Sequence, residues 1–138
     1  MANLNLHMGS SRYPLWITDE NGKKVQNVSN IVSGDILFGN YAFGYINKEN
    51  GKFVVLYVGR SESGLAREII QEMNTYRADN CTHFKYSVAR NSTEAYEKEC
   101  QNYHDFGEKE CLNNREHPDK PKDNGHYKCP IEGCEYHE

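Results

Sequence analysis

Polar and apolar positions organise most clearly over GNYAFGYI, residues 39 to 46, and KFVVLYVG, residues 52 to 59. Both runs are rich in β-branched and aromatic residues, which suit a pleated, half-buried surface. Between them NKEN leads into an Asn-Gly pair at 50 and 51, a strong short-range hairpin signal. The centre of a sheet is expected here. After Gly64 the period changes: Leu65, Ile69, Met73 and Tyr76 recur at three- and four-residue steps, one face of an amphipathic helix that ends near Arg77. A third strand follows at HFKYSVA, 83 to 89. Asn91 stands three residues before Glu94, the spacing of a capping box, and opens a helix to about Tyr103 or Phe106. Upstream, PLWIT, a turn at DENGKK and VQNVSNIV read as a loose hairpin over 14 to 32. The expected fold class is α/β in the α+β sense: a small central antiparallel sheet of about three strands flanked by helices, in β-β-α-β-α order.

Beyond Phe106 the chain turns polar, with Pro118, Pro121 and Pro130, so a layer of ordinary helices or strands is not expected there. The resulting organisation is a leader or expression tag over residues 1–11, an N-terminal extension over 12–38, one domain over 39–107 and a polar C-terminal tail over 108–138. A chain of 138 residues carries one modest core. Mean hydropathy is -0.88, and no run approaches the ~18 apolar residues of a membrane span. The start lacks the pattern of a signal peptide, so the expected compartment is the cytoplasm, and the five cysteines are expected as thiols or metal ligands. The net charge of -4 hides a split. Residues 1 to 90 carry ten Lys/Arg against eight Asp/Glu, and residues 91 to 138 carry six against twelve. An anionic ligand is therefore expected to meet the first part, without the uniformly basic surface of a tight nucleic-acid binder.

Gly39-Asn40-Tyr41, Tyr57-Val58-Gly59, Arg67 eight residues after Gly59, and Glu99 in the last helix resemble, in type and order, the GIY-YIG nuclease superfamily. The resemblance covers about residues 39 to 107, so that segment is expected to be a GIY-YIG-like nuclease domain. It implies a divalent-metal-dependent endonuclease that hydrolyses phosphodiester bonds in DNA. In the roles it implies, Glu99 holds one Mg2+ or Mn2+ ion, Arg67 contacts the scissile phosphate, and Tyr41 serves as base with Tyr57 nearby. The chemistry asks for such a set on its own account: a base for water, a cation for the developing charge and a hard metal ion on the phosphate oxygens. A phenol with an ordinary pKa of about 10 needs a neighbouring cation to act as a base. Arg60 and Arg67, on either side of the strand-to-helix turn, are the candidates for that charge and for phosphate binding. Tyr45 is the alternative first tyrosine. Asn40 takes the place of an apolar residue, which matters little if its side chain faces solvent, and Gln71 stands where relatives often have His or Tyr. Asn113 or Asn114 substitutes for an asparagine that often follows the helix.

Other readings of the same residues stay open. Tyr41 and Tyr57 fit a cross-strand aromatic pair, the arginines fit surface partners of Glu62 and Glu68, and Glu99 fits a charged helix face shared with Glu94 and Glu97.

In the second half, Cys100 and His104 lie four apart on the expected helix and share a face. Cys129-x4-Cys134 forms a short knuckle. Together they make a Cys3His set suited to structural Zn2+, with Cys111, His117, His126 and His137 as rivals. Such an ion would order a tail that buries too little apolar surface to fold unaided. The expected partner is DNA, with no membrane, and a homo-oligomer is possible because no reading helix is visible. A catalytically inactive nucleic-acid-binding or regulatory module is the alternative, and a third is recognition of a basic protein by the acidic half.

Overall fold

The computed structural model describes residues 11–123 and 125–137. Apart from Ser11, the leader expected over 1–11 lies outside them.

The hairpin forms as expected. Strand β4, Gly39–Ile46, pairs antiparallel with β5, Phe53–Ser61. The turn closes with Asn47 N–H donating to Lys52 O at 2.8 Å, and Gly51 adopts φ +71. Strand β6, His83–Val88, pairs antiparallel on the other side of β4. Ahead of β4 come β1 (Tyr13–Pro14), β2 (Trp16–Thr18), β3 (Lys24–Gln26) and a short helix α1 (Val28–Ile31). β2 and β3 form the N-terminal hairpin, while β1 joins the edge of β6. The main sheet therefore has four strands in the order β1-β6-β4-β5, not three, with a separate two-stranded sheet. Leu15, Val28 and Val32 of the N-terminal segment are buried in the same core as Phe43, Ile69 and Phe84.

Helix α2, Leu65–Glu72, turns Leu65, Ala66 and Ile69 inward. It stops four residues before Tyr76, because Thr75 leaves helical geometry and caps a 3-10 turn at Tyr76–Ala78, accepting from Arg77 N–H. Helix α3, Ser92–Asp105, begins at the predicted cap, with Asn91 accepting from Glu94 N–H at 2.9 Å. The order over 39–105 is thus β-β-α-β-α. The tail holds a short helix α4, Glu108–Cys111, and a 3-10 turn at Glu135–His137. Among the described residues no helix is long and apolar enough to cross a membrane.

Neighbouring strand residues point to opposite faces, and β4 uses both. Asn40 donates to Ala95 O on α3 at 2.8 Å, so it is a buried tie to that helix, not a solvent-facing side chain. Tyr41 points the other way and donates to Glu68 on α2 at 3.3 Å. Helices α2 and α3 therefore cover opposite faces of the sheet, and β5 is left as an edge.

Candidate functional site

That edge is where chemistry-bearing side chains collect. A cavity of about 780 Å³ is lined by Tyr41, Tyr57, Arg60, Glu68, Arg77 and Glu99, and on its outer side by residues 114–122. From the register, Tyr41, Tyr57 and Glu68 reach it from the α2 face, while Arg60, paired with Asn40, and Glu99 reach it from the α3 face.

The local reasons for these positions are steric. Tyr41 sits opposite Gly59, and a Cβ added at Gly59 would run into the Tyr41 ring. The glycine is therefore what lets the first tyrosine lie flat across β5. At Gly39 a Cβ would stand 2.6 Å from Ser87 O and 2.7 Å from Leu65 Cδ2, so a bare backbone is required where α2 begins. Asn114 closes the edge: its Oδ1 accepts from Val58 N–H at 3.1 Å and its Nδ2 donates to Val58 O at 3.0 Å. In effect it supplies one residue of a missing strand, and it lines the cavity, as Asn113 does not.

The expected residues separate into two groups. Tyr41, Tyr57, Arg60 and Glu99 line the one cavity. Arg67 does not join them. It is exposed on α2 and donates to Ser63 O and Ser63 Oγ at 3.3 and 3.1 Å, because its place in the helix turns it away from the buried stripe of Leu65, Ala66 and Ile69. Arg77 is the second guanidinium of the cavity; it pairs with Glu72 at 3.3 Å and reaches the Tyr57 hydroxyl. Tyr45 is 37% exposed and outside the lining. Glu99 is not part of a charged outer face: it is buried, with Ala95, Asn102 and Tyr103, while Glu97 is exposed.

Electrostatics follow burial. Arg60 Nη1 donates to Glu99 Oε1 at 2.6 Å. Even so, loss of water outweighs that pairing, and the Glu99 carboxyl is pushed up to about 7. Burial also drives the Tyr41 phenol well above its ordinary value, reinforced by Tyr57 and Glu68. The expected stabilisation of a phenolate by two arginines is absent, since Arg60 is committed to Glu99 and Arg67 is elsewhere. Glu68 is raised too, by burial and then by Glu72, and was not singled out by sequence because it reads as an ordinary helix-surface acid.

A second cluster lies beside the first. The ligand atoms of His104, His117, Cys129 and Cys134 all fall within 4.8 Å of one another, and these four could hold a metal ion. Cys100, expected as a ligand, is outside this group. It is buried with Tyr96 and Cys129 in a small apolar seam, and His117 takes its place. Both imidazoles are set for coordination. His104 Nδ1 is bonded to Glu108 Oε2 at 2.6 Å and His117 Nδ1 to Pro118 O at 2.9 Å, which fixes the tautomers and frees both Nε2 atoms. His104 Nε2 is buried without a partner. The Cys134 Sγ to His117 Nε2 distance is 3.6 Å, close to the edge of about 3.5 Å of a tetrahedron with metal–N near 2.05 Å and metal–S near 2.3 Å. Burial holds His117 below its ordinary range, in the neutral form that binds metal.

No family model matches the chain, and no curated protein or solved structure matches it either.

Proposed function

We propose that the protein is a divalent-metal-dependent endonuclease of GIY-YIG type acting on DNA, with a structural zinc ion in its tail. The observation that carries this reading is the convergence of Tyr41, Tyr57, Arg60 and Glu99 on one polar cavity, from elements in β-β-α-β-α order. Glu99 would hold a Mg2+ or Mn2+ ion, which supplies charge stabilisation at the phosphate oxygens. Arg60, freed from Glu99 when a cation takes its place there, and Arg77, rather than Arg67, would contact phosphate. Tyr41 takes a proton from the attacking water and passes its own to Glu68. Zinc fits the two-nitrogen, two-sulfur set of His104, His117, Cys129 and Cys134. The tail needs such an ion: from residue 113 on, the buried apolar side chains are Pro118, Pro121 and Cys129, against an ordering cost of about 1 kcal/mol or more per residue.

Conversion of supercoiled plasmid to the nicked circle in magnesium or manganese tests the activity. The protein should nick and Glu99→Gln should not; equal cutting by both refutes the assignment. Two observations favour a second reading, a module that binds nucleic acid without cutting it: Arg60 already occupies Glu99, and Tyr41 is held protonated. Salt-dependent DNA binding with no nicking in either metal would select it.

A further inference from the structure

His117 belongs to both sites: its ring lies in the metal cluster and it lines the cavity beside the sheet edge. The segment from Arg115 to Lys122 forms the outer wall of that cavity. Within it only Pro118 and Pro121 are buried, and no regular element holds it. Beside those prolines it is tied by Asn114, bonded to β5 at one end, and by His117, whose ring sits in the metal cluster, stacked on Tyr136 at 4.2 Å and edge-on to Tyr103 at 5.5 Å. Arg115 lies 3.6 Å over the centre of the Tyr76 ring, whose other neighbour is Arg77 at 4.7 Å. Arg115, Lys120 and Lys122 are exposed cations of this wall, interspersed with Glu116 and Asp119.

From this arrangement we infer that residues 115–122 are a metal-fastened strap that grips the nucleic-acid backbone next to the reacting phosphate. His117 is the positioning residue that transmits metal binding to the strap. The inference rests on the nuclease reading for its ligand, but the link between metal and strap stands apart from it. Arg115, Lys120 and Lys122 make phosphate contacts that carry no sequence information. Without the ion, His117 keeps only its ring contacts with Tyr103 and with Tyr136 of the same metal-ordered tail, so the wall loosens and those phosphate contacts weaken although every charge is still present.

Two measurements on the full chain test this. Trypsin cleavage after Arg115 and Lys122, mapped by mass with zinc bound and after its removal, reads the strap directly. Removal should speed cleavage at these two sites at least ten-fold, roughly 1.4 kcal/mol, while Arg60 and Lys85 in the paired strands stay resistant. Affinity for a labelled DNA oligonucleotide, measured without magnesium so that nothing is cut, should fall about ten-fold on zinc removal. An Arg115→Ala, Lys120→Ala, Lys122→Ala variant with zinc bound should show a similar fall, and a salt slope shallower by about 2 to 3. Cleavage unchanged by zinc removal overturns the coupling. Undiminished affinity of the triple variant overturns the strap's role in binding and leaves the nuclease reading intact. Slow cleavage with zinc, combined with no DNA binding at low salt, overturns the nucleic-acid reading itself and the ligand assigned to the strap.

Discussion

Arg60 donates to Glu99 across 2.6 Å, tying edge strand β5 to helix α3 inside the cavity. The two side chains are 13% and 9% exposed, so each depends on the other for its charge. The folded-state value of Glu99, about 7 against an ordinary 4.5, is raised. A carboxyl raised in the folded state costs stability when ionised: this group favours the fold most below its unfolded value, loses that advantage as pH rises from 4.5 to about 7, and changes little above. Arg60→Ala removes the partner. It is expected to cost about 3 kcal/mol at pH 8 and clearly less at pH 5.5, where a protonated Glu99 needs no cation. Urea unfolding at the two pH values checks this, and an equal loss at both would contradict it.

On the nuclease reading, activity should follow the same titration in the opposite sense. Glu99 must lose its proton to hold a cation, so nicking should rise as pH passes through about 7 and level off above. An initial-rate profile in magnesium from pH 5.5 to 9 reads it; a rate that falls over the same interval would contradict the role.

Gly59→Ala should destabilise the fold by roughly 1 to 3 kcal/mol, because the added methyl meets the buried Tyr41 ring. Gly34, where an added Cβ meets nothing, is the control position. Denaturant midpoints of the two alanine variants separate the cases.

The two arginines can be ranked. Arg77 lines the cavity and Arg67 does not, so Arg77→Ala should lower kcat/KM for nicking by about 100-fold, the effect of losing one transition-state contact, while Arg67→Ala stays within a few-fold of the parent. The reverse order would return the phosphate role to Arg67.

Metal content discriminates between the two ligand sets. Protein purified without added zinc should carry about one equivalent, retained in Cys100→Ser and lost in Cys129→Ser and His117→Ala. Loss from Cys100→Ser with retention in His117→Ala would restore the set expected from helix spacing alone.

How much of this was legible before folding depends on range. Strands β4, β5 and β6 and helices α2 and α3 are written in local period and in caps such as Asn91, which needs only Glu94 three residues on. Strand β1 has two residues, and its pairing with β6 joins Tyr13 to Phe84, a relation no local pattern records. The same holds at the sites. Tyr41, Tyr57 and Glu99 were reachable through motif order, but Arg67 and Arg77 differ in where a helix ends, which Thr75 decides by capping the next turn. Helical spacing put Cys100 beside His104 on one face. Only the return of the chain through Pro118 sets His117 there instead, and a polar stretch with several histidines and cysteines gives no sign of which one returns. The burial of Glu99 carried one signal: it is four residues from Ala95 on the inward stripe of α3, where Glu97 is not.

The most direct test of the central claim is a crystal structure soaked in manganese. The account predicts an anomalous peak about 2.1 Å from a Glu99 carboxylate oxygen, the distance of a hard six-coordinate cation, with Arg60 turned toward the cavity and Tyr41 facing the ion's water. An undisturbed Arg60–Glu99 pair at saturating manganese, with no peak at Glu99, would contradict it.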